Sequence, residues 1–322
     1  MVCNTDDGYS TKRLLAYSVR RTDFGCEGRL SMRILFLSRW YPYPSDNGSK
    51  LRVGSLLRGL ARQHDVALVS FSDGAVTPER VEAASFCSSV EASPYIPFQP
   101  RAWRSLLGFF ASAPRSLRAT FSESFCQLAD RRMKQQDSQL IIASQIDMIP
   151  YALRLSGAPR ILEELEVLKY EEVIEQTREM PRKLRLKLMR YKTANYIARV
   201  LPAFSGCTVV SQIEQSEVAR WAPAYKEIAV IPNGVEIDRY SGSFGAVEPN
   251  ALVYPGALNY AVNFDAIHFF LREIFPLIRA RQPAAKLYIT GKSESAQVAR
   301  LPKSDNVIFT GYLNDIRQRV AQ

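Results

Sequence analysis

The chain has 322 residues, of which 47% are hydrophobic and 23% charged, and its formal net charge is +10. These values fit a soluble globular protein of two domains of about 150 residues each, and no apolar run approaches the ~18 residues that a membrane-spanning helix requires. The excess of Lys and Arg favours an anionic partner such as a phosphate, a nucleotide, a nucleic acid or a lipid headgroup.

Residues 1–31 mix glycines with scattered charges and show no hydrophobic period, which predicts a disordered N-terminal extension. They also lack the sustained apolar segment of a secretory signal. The stretch from Met32 to Ser38 is the first that is typical of a buried strand, so we expect Met32 to be the biological start and the preceding residues to be a gene-calling extension. A genuine flexible arm remains the alternative for the preceding residues.

Short apolar runs alternate with helical patterns after Met32, as they do in βαβ units. One helix is predicted over 50–63, and a longer one over 164–200, which Pro181 kinks or divides. The predicted strands are 34–37, 66–70, 140–143, 161–162 and 208–210. Strands separated by helices predict a doubly wound parallel α/β sheet, which we assign to residues 32–240.

A second α/β segment follows residues 241–250, which are rich in Gly and Ser and are predicted to link two domains. Its predicted strands are 251–254, 285–290 and 307–310, and its predicted helices are 263–280, 294–301 and 313–321. A nucleotide-binding sheet needs the strands on both sides of its topological switch point. Three strands supply one half of such a sheet, so residues 251–322 are predicted to be an incomplete Rossmann-like second domain.

The turn between the first strand and the first helix has the sequence Asp46-Asn47-Gly48-Ser49. Gly48 lets backbone N–H groups approach a phosphate or a sugar, and the helix dipole favours negative charge there. Arg52, one helical turn later, adds a cation. We therefore select Asn47, Gly48 and Arg52 as candidate binding residues, although an ordinary βα turn also favours Gly and Ser. The lack of a GxGxxG string disfavours a dinucleotide oxidoreductase.

Cysteine and histidine usage argues against disulfides and metal sites. The five cysteines are odd in number and none forms a CxxC pair, which favours a reducing, cytoplasmic environment. The chain has only two histidines, His64 and His268, too few for a multi-histidine metal site. We predict no bound metal.

Short sequence motifs occur in a recognisable order along both domains. Those of the first domain are Asn47-Gly48, Cys207-Thr208-Val209-Val210-Ser211 and Val230-Ile231-Pro232-Asn233-Gly234-Val235. Those of the second are residues 254–260, 263–266, 273–276, 289–291, 309–312 and 315–317. From Met32 to the last residue, the chain resembles the family 4 retaining glycosyltransferases, which have the GT-B architecture of two Rossmann-like domains. Within that family it resembles the bacterial branch of exopolysaccharide biosynthesis.

The resemblance implies transfer of a sugar from a nucleotide-sugar donor to a polysaccharide or lipid-linked acceptor, with retention of the anomeric configuration. The donor would bind mainly to the second domain and the acceptor would approach from the first. No metal and no cofactor is implied, since cations and helix N-termini stabilise the leaving diphosphate. The candidate donor-binding residues are Asn47, Gly48, Arg52, Asn233, Gly256, Gly291 and Gly311.

Family members often place a His or an acidic residue after the fourth strand of the first domain, where this chain has Gln145 and Asp147. Glu163, Glu164 and Glu166 follow the next strand, where a glutamate is able to deprotonate or orient the acceptor. The resemblance therefore implies Gln145, Asp147 and Glu164 as candidate catalytic residues. The alternatives are that Asp147 caps the next helix and that the glutamates form a solvated helix start.

The chain departs from the family pattern at two places. Residues 256–263 contain no Arg or Lys, although many members have both after the first strand of the second domain. Residues 251–322 contain no Glu-x7-Glu string, which the family has in its second domain. We therefore expect a truncated glycosyltransferase, and whether this chain is itself active stays open. Two alternatives remain: a non-catalytic fragment that binds acceptor, lipid or partner only, and another GT-B enzyme such as a sugar-nucleotide epimerase.

A basic helical stretch, residues 178–192, has Leu184, Leu188 and Tyr191 on a common face, and a second basic and aromatic stretch spans 101–118. The cations of the first are Arg178, Arg182, Lys183, Arg185, Lys187, Arg190 and Lys192. Such helices attach to anionic lipid, which predicts peripheral association with the inner face of the membrane; a solvated helix face is the alternative. Nucleic-acid binding is not predicted, because no RNP, helix-turn-helix or zinc pattern is present.

Overall fold

The computed structural model describes residues 16–18, 31–77, 81, 84–168, 173–175, 177–235, 237–313 and 315–320. The chain divides into two compact units, Met1–Gly234 and Val235–Gln322. Within the predicted N-terminal extension, Ala16–Ser18 form a short strand, β1. Apart from Ser31, the rest of that extension lies outside the described residues.

The first unit is built on a sheet of eight strands. After β1 these are β2 Arg33–Ser38, β3 Asp65–Ser72, β4 Ser89–Pro94, β5 Leu140–Ser144, β6 Arg160–Glu163, β7 Gly206–Val209 and β8 Ile228–Val230. Their order is β1-β4-β3-β2-β5-β6-β7-β8. Every neighbouring pair in it is parallel except β1 with β4. The predicted parallel α/β sheet is confirmed.

Successive residues of β2 face opposite sides of the sheet, as strand geometry requires. Ile34 and Phe36 belong to one hydrophobic cluster, whereas Leu35 and Leu37 belong to another. All four side chains are fully buried. Burial on both faces explains why the central strands have continuous apolar runs rather than alternating ones.

Strand β4 was missed by the sequence prediction because its residues form no apolar run. It pairs with β3 in parallel, from Ser89 opposite Ala67 onwards. Its Glu91 is buried and forms an ion pair with Arg132. Backbone pairing with β3, and not a hydrophobic pattern of its own, therefore defines this strand.

The helices of the first unit correct one prediction. They are α1 Gly48–Ala61, α2 Trp103–Leu107, α3 Arg115–Ala119, α4 Glu123–Gln136, α5 Ile149–Ala152, α6 Met180–Val200 and α7 Gln212–Trp221, with 3-10 turns at Ile146–Met148 and Leu201–Ala203. The prediction of one helix over 164–200 is wrong at its start, because the long helix, α6, begins at Met180. Glu164 has a φ of +55°, which no right-handed helix accepts. Pro181 lies in the first turn of α6, so it starts the helix and does not kink it.

The second unit contains a parallel sheet of three strands. These are β9 Ala251–Pro255, β10 Lys286–Thr290 and β11 Val307–Gly311, in the order β11-β10-β9. The helical elements are α8 Ala261–Phe269, a π-helical turn Phe270–Ile274, α9 Phe275–Arg281, α10 Ser295–Val298 and α11 Arg317–Val320, with a 3-10 turn at Ile237–Tyr240. The three predicted strands are confirmed. A core that includes Ile267, Leu271 and Leu287 joins helix and sheet.

The predicted linker, residues 241–250, lies within the second unit. Its Glu248 accepts hydrogen bonds from Lys286 Nζ at 2.9 Å and from the Tyr288 hydroxyl at 2.8 Å. Both partners belong to β10, so these bonds attach the segment to the sheet. The boundary between the units accordingly falls after Gly234, earlier than composition alone indicates.

Candidate functional site

Polar side chains gather where the parallel strands of the first unit end. Ser144 closes β5 and is followed by Gln145, Glu163 closes β6 and is followed by Glu164, and Asn233 follows β8. Because these strands are parallel, their carboxyl ends lie at one edge of the sheet. Helix α1 starts from the same edge, after β2.

Arg52 of α1 connects three of these positions. Its side chain is buried; Nε donates to Glu163 Oε1 at 2.7 Å, and Nη1 donates to Asn233 Oδ1 at 3.0 Å. The second oxygen of Glu163, Oε2, accepts from Ser144 Oγ at 2.8 Å. A buried guanidinium therefore neutralises a buried carboxylate, both of whose oxygens are hydrogen-bonded.

Gln145 connects Glu164 to Ser49 of α1 through its side-chain amide. Its Nε2 donates to Glu164 Oε2 at 2.9 Å and to Ser49 Oγ at 3.2 Å. We call the connected residues the Arg52 cluster: Ser49, Arg52, Ser144, Gln145, Glu163, Glu164 and Asn233. The structure thus brings together four of the predicted site residues, Arg52, Gln145, Glu164 and Asn233.

The backbone is strained at two residues of the Arg52 cluster. Gln145 has a φ of +72° with a ψ of 163°, and Glu164 has a φ of +55°. The conformation of Gln145 is almost restricted to glycine, and such residues cost on the order of 1–3 kcal/mol each. Hydrogen bonds from Gln145 N to Glu163 O, 2.7 Å, and from Glu164 N to Thr208 Oγ1, 3.2 Å, hold both in place. Strain that the surroundings maintain in this way is typical of functional sites.

Glu164 has a perturbed protonation equilibrium. Burial, aided by the neighbouring Glu163 carboxylate, raises the pKa of Glu164 to about 7, while the hydrogen bond from Gln145 and the charge of Arg52 act in the opposite direction. The Glu164 side chain is 13% exposed, so solvent or a ligand is able to reach it. At neutral pH this carboxyl is therefore suited to accept a proton and to release it again.

Arg52 also carries a buried donor that the cluster does not use. Within the part of the chain that the structure describes, its Nη2 has no hydrogen-bond partner. Buried polar atoms are nearly always paired. The unpaired N–H group of Arg52 therefore adds to the strain of the cluster, because a buried donor without an acceptor costs on the order of 1–3 kcal/mol.

Three further predicted residues lie in the turns next to the Arg52 cluster. The Asn47 side chain accepts a hydrogen bond from Lys50 N at 2.9 Å and so caps α1. Gly48 is the first residue of α1, and a Cβ there would meet no atom within 4 Å, so the fold itself does not demand glycine. Asp147 is half-buried and lies on the turn Ile146–Met148. Its charge acts on the nearby Tyr151: burial raises the pKa of Tyr151 to about 12, and the negative charge of Asp147 adds to that shift.

Glycines mark the carboxyl ends of the strands in the second unit. Gly256 N donates to Thr290 O at 3.3 Å, and Gly291 N donates to Gly311 O at 2.8 Å, so the three predicted glycines lie at one edge of the sheet. Gly291 has a φ of +97°, and a Cβ on it would lie 2.9 Å from Ala257 N. Glycine is required there because two backbones approach closely.

This glycine edge borders a cleft of about 380 Å³. Its lining residues are Asn259, Lys292, Ser293, Glu294, Gly311 and Tyr312. Lys292 is exposed, and its ammonium group forms no hydrogen bond or ion pair with any described residue. The sequence prediction missed this cation because it examined residues 256–263, after β9, whereas Lys292 follows β10. Its position directly after Gly291 is the signal that would have identified it.

Among the residues that the structure describes, no group of three or more His, Cys, Asp or Glu side chains is arranged to hold a metal ion. The same residues contain no helix long and apolar enough to cross a bilayer. Metal independence stays a prediction.

Comparison with known proteins adds a family match for the second unit. Residues 249–322 match the family model described as glycosyl transferases group 1. The search among curated proteins found no match.

Solved structures share the fold over most of the chain. A sucrose-phosphate synthase from Thermosynechococcus elongatus matches with a TM-score of 0.56 and 15% identity, over 90% of this chain and 72% of that chain. A UDP-forming α,α-trehalose-phosphate synthase from Burkholderia vietnamiensis matches with a TM-score of 0.51 and 10% identity, over 91% and 75%. A structure named as a UDP-N-acetylglucosamine 2-epimerase, from Listeria monocytogenes, gives 0.50 and 10%, over 89% and 70%. The chain therefore has an α/β fold with parallel sheets that matches GT-B structures.

Proposed function

We propose that this chain transfers a sugar from a nucleotide-sugar donor to a hydroxyl of a polysaccharide or lipid-linked acceptor, with retention of the anomeric configuration. The match of residues 249–322 to glycosyl transferases group 1 carries the proposal. Two fold neighbours are named as a sucrose-phosphate synthase and a UDP-forming trehalose-phosphate synthase, which supports a nucleotide-sugar donor.

The donor diphosphate is assigned to the cleft of the second unit. Lys292 supplies an exposed cation there, and the open space beside Gly311, where a Cβ would meet no atom within 4 Å, leaves room for phosphate oxygens. A cation positioned beside the leaving diphosphate stabilises the charge that develops as the sugar–phosphate bond breaks. This arrangement needs no metal ion.

The acceptor is assigned to the carboxyl edge of the first unit. Glu164 takes the proton of the acceptor hydroxyl as the new bond to the sugar forms and the bond from the sugar to the diphosphate breaks. Gln145 holds the Glu164 carboxylate through its 2.9 Å hydrogen bond. Arg52 and Glu163 fix the backbone from which both side chains project, and are positioning residues.

The test is product analysis with labelled donors. The full chain is incubated separately with radiolabelled UDP-glucose, UDP-N-acetylglucosamine and GDP-mannose, together with polyprenyl-linked sugars and simple glycosides as acceptors. The expected result is a glycoside whose one-bond C1–H1 coupling shows the anomeric configuration of the donor. Glu164→Gln is expected to lower the rate about 100-fold or more, whereas Glu227→Gln, which changes an exposed glutamate of the same unit, leaves it unchanged.

A nucleotide-sugar epimerase is the second candidate. It is favoured by Glu164, because a carboxyl with a pKa of about 7 suits proton abstraction and return, and by the epimerase among the fold neighbours. The same incubations separate the candidates. An epimer of the donor formed without acceptor identifies an epimerase, and a glycoside formed only with acceptor identifies a transferase.

A further inference from the structure

Two neighbouring segments of the first unit expose large apolar side chains. In and just after α2, Trp103 is 69% exposed and Phe110 is 91% exposed. The exposed apolar residues of this segment are Trp103, Leu106, Leu107 and Phe110, and those of α6 are Met180, Leu184, Leu188 and Tyr191. A patch of large apolar side chains that are exposed to water on two neighbouring segments is typical of an interaction surface. A helix face that is simply solvated would expose polar side chains instead.

Direct contacts join the two segments. Lys192 of α6 donates from Nζ to Gly108 O at 3.0 Å and to Phe109 O at 2.8 Å. Within residues 101–118, the Arg115 guanidinium lies 4.3 Å from the centroid of the Phe109 ring. Arg185 of α6 is close enough to Arg115 to lower its pKa, adding to the effect of burial. We call residues 101–118 and α6 together the α2–α6 surface.

The α2–α6 surface is basic and contains no acidic residue. Helix α6 has seven Lys and Arg residues and no Asp or Glu. Residues 101–118 have four Arg residues and again no Asp or Glu. Burial lowers the pKa of Lys192, and the charges of Arg115 and Arg118 lower it further. Like charges are therefore crowded together, and an anionic partner would relieve their repulsion.

We propose that the α2–α6 surface docks on a bilayer of anionic phospholipid, with Trp103 and Phe110 inserted at the level of the headgroups. Aromatic side chains favour the membrane interface, and Lys and Arg side chains extend from an apolar base to the phosphates. In this proposal the helices lie along the membrane interface, with their exposed apolar side chains towards the bilayer. The charge pattern fits lipid phosphates, and the exposed apolar groups fit the acyl boundary.

This docking goes beyond the proposed sugar transfer. It does not depend on Glu164 or on Lys292, and it would hold for a transferase and for an epimerase alike. A bilayer under this surface would present acceptors whose sugars are attached to lipid.

The experiment is sedimentation of the full chain with vesicles of phosphatidylcholine, alone or mixed with phosphatidylglycerol. The expected result is binding to the mixed vesicles only. The double variant Arg185→Glu with Lys187→Glu should weaken this binding at least about 10-fold. The matched control, Arg62→Glu with Arg131→Glu, makes the same change of net charge at exposed positions outside the surface and should bind as the parent does.

A second pair of variants tests the apolar half of the surface. Trp103→Ser with Phe110→Ser should lose vesicle binding and also the quenching of tryptophan fluorescence by brominated lipid, whereas Ile213→Ser, at an exposed residue of α7, should keep both. Equal binding to vesicles with and without phosphatidylglycerol overturns the proposal. So does equal loss in the charge variant and its control, or binding to a single-stranded oligonucleotide without binding to vesicles.

Discussion

The two units present opposite chemistry at equivalent edges of their sheets. In the first, the strand ends carry the Arg52 cluster, whose Arg52 and Glu163 are buried and hydrogen-bonded to each other. In the second, glycines stand at the strand ends and the cation, Lys292, is exposed. The same βα geometry therefore gives a fixed, strained polar site in one unit and an open, backbone-lined cleft in the other. The first is suited to positioning and proton transfer, and the second to receiving a ligand.

The largest expected difference between the two units is the loss of stability when the cation at each sheet edge is removed. Arg52→Met leaves Glu163 charged, buried and without its partner, so we expect the free energy of unfolding to fall by about 3–5 kcal/mol. Lys292→Met removes an exposed charge and should change stability by no more than about 0.5 kcal/mol. Urea denaturation of both variants measures the difference. Similar losses would mean that the two edges do not differ as described.

The next effect concerns the pH dependence of stability. The pKa of Glu164, about 7, lies above the ordinary value of 4.5, so the folded chain holds an extra proton between these pH values. Stability should therefore fall as the pH rises from 4.5 to about 7. Glu164→Gln removes this fall and should make the chain more stable than the parent at pH 8, by roughly 1–3 kcal/mol. Thermal unfolding at pH 5 and pH 8 tests it; parallel pH profiles of variant and parent would refute it.

A glycine of each edge sharpens the comparison further. Gly291→Ala forces a Cβ to within 2.9 Å of Ala257 N at a φ of +97°, and should cost about 1–3 kcal/mol of unfolding free energy. Gly48→Ala meets no atom within 4 Å at the start of α1 and should be neutral to within about 0.5 kcal/mol. Denaturation midpoints of the two variants give the result. A destabilised Gly48→Ala would show that the turn before α1 needs glycine for the fold.

The smallest effect is on donor affinity. Lys292→Met should weaken binding of the nucleotide-sugar about 10-fold, the value of one lost charge-assisted hydrogen bond. Lys303→Met, which removes another lysine of the second unit outside the cleft lining, is the control. Calorimetric titration measures both. Equal donor affinities of the two variants would show that the diphosphate does not bind in this cleft.

Much of the fold was predictable because buried parallel strands have continuous apolar runs. Residues 34–37 and 140–143 show this pattern, and both are strands at the centre of the first sheet. Ser89–Pro94 form a strand because they pair with β3. Their own residues do not indicate a strand. The left-handed conformation of Glu164 interrupts the predicted helix, and a hydrogen bond from Glu164 N to Thr208 Oγ1 helps to maintain it.

The candidate site was predictable as a set of residues but not as an arrangement. Motif strings selected Arg52, Gln145, Glu164 and Asn233 individually. Arg52 is bonded directly to Asn233, 181 positions away in the chain. Arg52 is connected to Gln145 through Glu163, which lies 111 positions from Arg52. Such a link arises only when parallel strands bring their ends to one edge of the sheet.

The most direct test of the central claim is the stoichiometry of donor turnover. Phosphorus NMR follows the release of nucleoside diphosphate by the full chain, while mass spectrometry counts the glycoside formed in the same sample. Glycosyl transfer predicts that release requires the acceptor and equals the glycoside formed. Release without acceptor, conversion of the donor to its epimer, or no turnover with any donor and acceptor tested would contradict it.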